Sequence, residues 1–298
     1  MQYSVFENDN DLNDLQSRIY KVIPKQTQDI VGTAVFLIGL PIGFLIHIFG
    51  IMPTWYPAFG EAWMIRVSLL LVLASNVYMN WYKMLIVGPN GNAAVLPNIV
   101  KSGFRYCHSC RKNVPPRTYH CPVCNVCCMR RDHHCSFGGV CVGHFNQRYF
   151  FSAVVNLWIL CVPLLSYVWD FTWMCIEGGF TLGKTWQIML PHLALMARVI
   201  NFTQFLYILF CAFTFTSLLF VTYLLIAQLF CLWNGQTRME YLMDIQAYHL
   251  GFVENMRHAL GSRWFLVAVS PFVPSPLPSD GMTFVTRELL EHNNPKHM

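Results

Sequence analysis

Eight cysteines and four histidines lie between Cys107 and Cys141. Eight of these twelve residues sort into two copies of one spacing, C-x2-C-x9-H-x6-C, offset by 14 residues. Cys107, Cys110, His120 and Cys127 form the first copy; Cys121, Cys124, His134 and Cys141 form the second. Three sulfurs and one imidazole suit tetrahedral Zn²⁺, so the spacing predicts two interleaved structural zinc sites. The 14-residue step goes one further, to Cys135, but the positions that would complete its quartet are Gly138, Arg148 and Val155. Cys135 is therefore a ligand-type cysteine without a metal quartet. It directly follows Asp132, His133 and His134.

A thiol attacks as its thiolate, and an unperturbed pKa near 8.5 leaves only a few per cent ionised at neutral pH. An adjacent imidazole can take the proton, and a carboxylate can hold that imidazole in the right tautomer. With His134 assigned to zinc, His133 is the candidate base, Asp132 the residue that orients it, and Cys135 the candidate nucleophile. On an extended backbone, alternation sends His133 and Cys135 to one face and His134 to the other. Spacing alone fits a second reading equally: a zinc-stabilised binding module in which Cys135 is an inert buried thiol.

The elements that must position these residues are hydrophobic. The chain has 298 residues, 55% hydrophobic and 12% charged, with a mean hydropathy of +0.40, which points to a membrane protein. Four stretches are long enough to cross a hydrocarbon core about 30 Å thick, near Val31 to Met52, Ile65 to Val87, Tyr149 to Trp169 and Phe205 to Trp233. The opening segment lacks a signal-peptide pattern, so the first span is expected to be retained. Asn76, Asn80 and Asn156 lie within spans, where interhelical hydrogen bonding is the plainest use for them.

The loop from Gly88 to Arg148 carries Lys101, Arg105, Arg111, Lys112, Arg117, Arg130, Arg131 and Arg148 against a single acid, Asp132. The positive-inside rule places this loop and both termini in the cytosol, where thiols stay reduced and metal binding is favoured over disulfides. Arg117, Arg130 and Arg131 are candidates for binding a phosphorylated cofactor, or else lipid headgroups or RNA. Aromatic interleaving is weak and four spans argue against nucleic acid as a partner.

The expected architecture is an all-α polytopic membrane protein, with four transmembrane helices and a cytosolic double-zinc, cysteine-rich domain between helices 2 and 3. Its boundaries read as a cytosolic lead over 1–29, spans 1 and 2 over 30–87, the zinc domain over 88–148, spans 3 and 4 with a lumenal loop over 149–233, and a cytosolic tail over 234–298. A modest amphipathic pattern runs from Leu12 to Ile23, and Gly88-Pro89-Asn90-Gly91 forms the turn that ends the second span. The CxxC pairs should be knuckle turns joined by short strands. Residues Trp186 to Val199 should form a short helix, and Met239 to Leu260 one or two amphipathic helices.

With these residues in place, the segment Cys107 to Phe150 resembles the DHHC family of protein S-acyltransferases. The resemblance rests on the zinc-ligand order, Pro115 and Arg117 of the family's K-P-x-R run, the Asp132-His133-His134-Cys135 tetrad, Cys141-Val142-Gly143, and Asn146 with Phe150. The family's plan of two spans, a cytosolic cysteine-rich domain, two spans and a cytosolic tail matches the hydropathy. The resemblance implies that Cys135 takes a long-chain acyl group from palmitoyl-CoA, that His133 deprotonates it and Asp132 polarises His133, and that the acyl group then passes to cysteines of membrane-proximal proteins by a ping-pong route. It also implies two structural zinc ions, an apolar acyl cavity among the helices, the lipid bilayer as surroundings, and an endomembrane location, ER or Golgi, with the active site facing the cytosol. A catalytically weak zinc-dependent membrane scaffold is the competing function. A small transporter is a third, which leaves the tetrad unexplained.

Past the fourth span, Thr237-Arg238-Met239-Glu240 resembles the family's T-T-x-E motif, and Tyr248, Gly251, Asn255 and Gly261 keep the spacing of its C-terminal Y-x2-G-x3-N-x5-G element. Thr237, Glu240 and Asn255 are thereby implied as structural support beneath the catalytic domain. The chain departs from the family at Val114 for lysine, Ser136-Phe137 for Pro-Trp, Val140 for asparagine and Arg238 for threonine. Ser136-Phe137-Gly138-Gly139 is expected to make the loop beside Cys135 more flexible.

Overall fold

The computed structural model describes Pro24 and residues 26–91, 101–176 and 179–292. The amphipathic pattern from Leu12 to Ile23 lies outside the described residues. Among the described residues, four helices are long and apolar enough to cross a membrane: α1 (Thr27–Thr54), α2 (Glu61–Val87), α3 (Gln147–Cys175) and α6 (Phe202–Trp233). All four extend beyond the expected spans, because hydropathy marks only the apolar centre of a helix while capping groups set its ends. The start of α6 shows this: Asn201 Oδ1 accepts the Gln204 N–H at 2.8 Å, and Gln204 Oε1 accepts the Asn201 N–H at 2.8 Å. These reciprocal bonds satisfy two amides that a helix start leaves without partners. In α1, Pro41 cannot donate into the helical ladder, and wide π-helical turns at Val35–Gly39 and Ile46–Ile51 flank the segment that holds it.

The chain divides into two compact units. One comprises Gly39–Val77 and Val154–Ile226. Its core gathers Ile48, Met52, Trp63, Val67, Leu70 and Leu160, and Trp63 Nε1 donates to the Ile48 carbonyl at 2.9 Å. Further apolar side chains of this unit, among them Leu69, Val72, Leu219 and Ile226, point outward. Two short helices, α4 (Thr185–Met189) and α5 (Pro191–Met196), stand where one was expected. Pro191 sits at the first position of α5, where a missing N–H costs nothing.

The other unit comprises the described residues of Met1–Ile38, Tyr78–Ala153 and Ala227–Met298. Its centre is three antiparallel hairpins of three-residue strands. They are β1 (Arg105–Cys107) with β2 (Lys112–Val114), β3 (Tyr119–Cys121) with β4 (Val126–Cys128), and β5 (His133–Cys135) with β6 (Val140–Val142). Their registers open at Arg105↔Val114, Tyr119↔Cys128 and His133↔Val142, each 14 residues after the last. The turn residues repeat as well, since Arg111, Asn125 and Gly139 occupy equivalent left-handed positions at φ 52°, 54° and 62°. The 14-residue step is thus a structural repeat, and it has three copies.

The apolar clusters among these hairpins are small. Val114, Cys127 and Met129 form one; Cys121, Cys128 and Cys141 form another. Val114 is almost fully buried there, which accounts for an apolar residue where the family has lysine. The tail continues with α7 (Arg238–Leu242), α8 (Phe252–Leu260) and α9 (Arg287–His292). Residues 270–280 carry no regular element.

Candidate active site and metal centres

Both quartets are assembled from hairpin geometry. In the second hairpin His120 lies directly opposite Cys127; in the third, His134 lies opposite Cys141. Each cross-strand pair faces the CxxC turn of the hairpin before it. His120 and Cys121 are neighbours on β3 and so point to opposite faces, which is how one strand serves both quartets.

The donor atoms of each quartet lie within 4.8 Å of one another. Zn–S bonds of 2.3 Å at tetrahedral angles place sulfurs about 3.8 Å apart. The observed separations match: Cys127 to Cys110 sulfur 3.4 Å, Cys124 to Cys141 sulfur 3.7 Å, and His134 Nδ1 to the sulfurs of Cys124, Cys121 and Cys141 at 3.3, 3.8 and 3.9 Å. The Cys110 and Cys124 backbone N–H groups donate to the Cys107 and Cys121 sulfurs, each at 3.4 Å, as knuckle turns do. Both clusters can hold a metal ion, and their donor chemistry fits zinc.

Beside the second quartet, β5 carries the tetrad. Asp132 is fully buried. Its Oδ2 accepts from His133 Nδ1 at 2.7 Å and from Gln228 Nε2 at 2.7 Å, and its Oδ1 accepts the Arg238 backbone N–H at 2.8 Å. Burial alone would raise the Asp132 carboxyl, but the hydrogen bond and charge of His133, with the bonds from Arg238 and Gln228, hold it below the usual carboxylate range. For His133, burial works against the cation, while hydrogen bonding to Asp132 and Cys135 outweighs it and pushes the imidazole up to about 10. The Phe150 ring packs against His133 at 4.7 Å and 66°. A fixed carboxylate, an oriented imidazole and a buried thiol in sequence can move a proton off sulfur.

The Ser136–Gly139 loop is held from two helices. Thr33 Oγ1 donates to the Ser136 carbonyl at 3.4 Å and Trp81 Nε1 to the Phe137 carbonyl at 3.0 Å. A Cβ on Gly138 would come within 2.9 Å of Leu85 and Met84. Glycine here permits close packing against α2, and the expectation of a loosened loop gives way to a pinned one.

The tail residues named from the sequence come together beneath this centre. Thr237 caps α7 and forms a capping box with Glu240. Glu240 is fully buried and takes a two-pronged bond from Arg117, Nε to Oε1 and Nη2 to Oε2, both at 2.6 Å. Asn255 Nδ2 donates to the Trp233 carbonyl at 2.7 Å, and Asn255 Oδ1 accepts the Leu250 N–H at 2.9 Å. Gly235, at φ 66°, lets this asparagine approach: a Cβ there would stand 2.7 Å from Asn255 Oδ1.

The three arginines considered for a cofactor's phosphates all have internal partners. Arg117 is committed to Glu240 and the Gly235 carbonyl and lies over the Tyr248 ring at 4.2 Å. Arg130 is buried and donates to Gln147 Oε1 at 2.5 Å. Arg131 donates to the His120 carbonyl at 3.1 Å and is the least enclosed of the three.

Three contributors went unseen in the sequence. Gln228 was one more polar residue in an apolar span, and Asp29 one of five acids before the first span. The third is the Arg238 amide, which any residue but proline supplies, so threonine and arginine are interchangeable for that bond. Asp29 is almost fully buried, and its Oδ2 lies 3.1 Å from His134 Nε2.

Comparison with known proteins agrees with this geometry. Residues 100–245 match the DHHC palmitoyltransferase family model. The chain is 35% identical over 202 residues to the rat protein named probable palmitoyltransferase ZDHHC24, covering 62% of this chain and 65% of the relative. The human protein of that name is 35% identical over 208 residues, covering 64% and 67%. The Arabidopsis thaliana protein named probable protein S-acyltransferase 7 is 31% identical over 163 residues, covering 53% of this chain and 34% of that protein. The matched stretch thus spans about two thirds of the mammalian relatives' length, just under it for the rat protein. The chain belongs to the DHHC palmitoyltransferase family.

Proposed function

We propose that this protein is a protein S-acyltransferase that moves a long-chain fatty acyl group from acyl-CoA to Cys135 and then to cysteines of membrane-associated proteins. One observation carries the reading: Asp132, buried and held by three donors, fixes His133 against the free thiol of Cys135. In the first half-reaction His133 takes the Cys135 proton and the thiolate adds to the thioester carbonyl of acyl-CoA. The tetrahedral adduct collapses with loss of the CoA sulfur, which takes the proton back from His133. In the second, the acceptor thiol gives its proton to His133, the acceptor sulfur attacks acyl-Cys135, and the Cys135 sulfur leaves and is reprotonated. Long-range support for the reading comes from the family and from relatives named as palmitoyltransferases and protein S-acyltransferases.

The same proposal assigns zinc to Cys107, Cys110, His120 and Cys127 and to Cys121, Cys124, His134 and Cys141. When bound there, zinc supplies a structural cross-link in place of a hydrophobic core. It also places the four long helices across an endomembrane, with the domain of residues 88–148 and the tail of 234–298 on the cytosolic side, as the basic loop favours. The test is to incubate the purified protein with labelled palmitoyl-CoA and assay for a hydroxylamine-sensitive adduct. An adduct on the wild type that disappears in Cys135→Ser supports the proposal. No adduct on the wild type, or an undiminished one in Cys135→Ser, overturns it in favour of a zinc-dependent scaffold.

A further inference from the structure

The first two turns of α1 reach the residues on either side of Cys135. Before the thiol, Asp29 Oδ2 stands 3.1 Å from His134 Nε2, the ring nitrogen turned away from the sulfurs of the second quartet. After it, Thr33 Oγ1 donates to the Ser136 carbonyl, and Gly32 packs so closely that a Cβ would lie 2.8 Å from that oxygen. Asp29 is 2% exposed, and a carboxylate so deeply buried must be paired. The helix is itself held near this point, since Tyr78 Oη donates to the Phe36 carbonyl at 2.9 Å and Phe36 stacks on Trp81 at 5.3 Å, whose Nε1 holds the Phe137 carbonyl.

We infer that Asp29 is a positioning residue of the reaction centre: its carboxylate fixes the His134 ring with Nε2 protonated and Nδ1 free for the metal, and so sets the strand that carries His133 and Cys135. The inference rests on the proposed function above for its catalytic consequence, while the coupling to the second quartet stands on the contacts alone. An imidazole ligand's second nitrogen commonly donates to a carboxylate, which orients the ring and strengthens it as a donor; loss of such a partner costs 10- to 100-fold in metal affinity or activity. Glycine at position 32 serves the same purpose, for only the absence of a side chain lets a helix lie against the carbonyl that follows the nucleophile.

The test compares Asp29→Asn, Asp29→Ala and Asp29→Glu in the full-length, zinc-loaded protein. The protein is challenged with a chelator, alkylated, and read by mass spectrometry at Cys141 against Cys107 and Cys110. The expected result is that Asp29→Asn and Asp29→Ala speed alkylation of Cys141 about tenfold, leave Cys107 and Cys110 at the wild-type rate, and slow single-turnover acylation of Cys135 about tenfold, with partial rescue by Asp29→Glu. Unchanged alkylation at Cys141, or equal acceleration at Cys107 and Cys110, overturns the inference, the latter because it marks general unfolding. If the wild type forms no adduct while Asp29→Asn still exposes Cys141 selectively, the enzyme reading falls and the coupling of Asp29 to the metal site stands.

Discussion

The second and third hairpins share one backbone plan, and the proposed function puts the same atom to a different use in each. Cys121 and Cys135 end equivalent strands, paired with Val126 and Val140 at the same register. The position three residues on is Cys124 in one and Gly138 in the other, and Gly138 is packed against Leu85 and Met84 with no room for a sulfur. The second hairpin is followed by another hairpin, which supplies His134 and Cys141. The third is followed by α3, so Arg148 and Val155 stand on a helix where ligands would be. A ligand cysteine becomes a free thiol when its quartet is left unbuilt. Where a further metal quartet would brace the chain there is a set of polar contacts: Gln228 and the Arg238 amide on Asp132, Trp81 on Phe137, and Asn146, whose Nδ2 donates to the carbonyls of Met84 and Cys141 at 3.1 and 3.0 Å.

The sharpest way to break the comparison is to remove the same sulfur from both hairpins. Cys121→Ala should lose metal from the second quartet and unfold the hairpin domain, because ligation there takes the place of a core. Cys135→Ala should keep about two zinc ions per chain and a wild-type melting curve while acyl transfer disappears. Elemental analysis and thermal unfolding read the first pair of outcomes, and the palmitoyl-CoA adduct reads the second. Zinc lost from Cys135→Ala would make the two thiols equivalent after all.

Next in size is the link between the two hairpins. The Arg117 carbonyl accepts the Arg131 N–H at 3.2 Å just ahead of β5, and the Arg117 side chain is buried against Glu240. Glu240→Ala leaves a buried guanidinium without its carboxylate, a loss of about 3–5 kcal/mol. Thermal or denaturant unfolding should show it, with a smaller loss in Glu240→Gln. A change confined to a few tenths of a kcal/mol would mean that the tail does not brace this junction. Smaller again is Gln228→Leu, which removes one donor from Asp132 and touches neither quartet. Acyl transfer should fall on the order of tenfold, equivalent to about 1.4 kcal/mol, with zinc content unchanged.

The metal quartets and tetrad were readable because their partners recur at short, fixed spacing, and the same period foretold that Cys135 begins a third copy. Four apolar helices were equally readable, though their ends were not, since caps such as Asn201 with Gln204 lie outside the hydropathy signal. Asp29 and Gln228 escaped notice for another reason: they meet His134 and Asp132 across 105 and 96 residues, and one polar residue in a long apolar helix has no period to reveal its direction. The loop at Ser136 was misjudged by the same route. Glycines suggest freedom from sequence alone, while Gly138 is held by the packing of residues some fifty positions earlier.

The smallest expected effect concerns Arg238, where the chain departs from its family inside the brace of the third hairpin. Arg238 is the first residue of α7 after the cap Thr237, and its backbone N–H donates to Asp132 Oδ1. Arg238→Thr keeps this amide and should leave acyl transfer within about twofold of wild type, far less than one lost hydrogen bond to a charged group. Arg238→Pro separates the amide from everything else. Proline is well tolerated at the first helical position, and Thr237, at φ −94° and ψ 165°, already has the extended conformation that a following proline requires. The helix and its capping box should persist while Asp132 loses one of three donors. Acylation should drop several-fold in Arg238→Pro with zinc content and melting temperature close to wild type, and the drop should be absent in Arg238→Thr. Equal losses in both variants would assign the effect to the side chain and detach this amide from the brace that stands in for a third metal site.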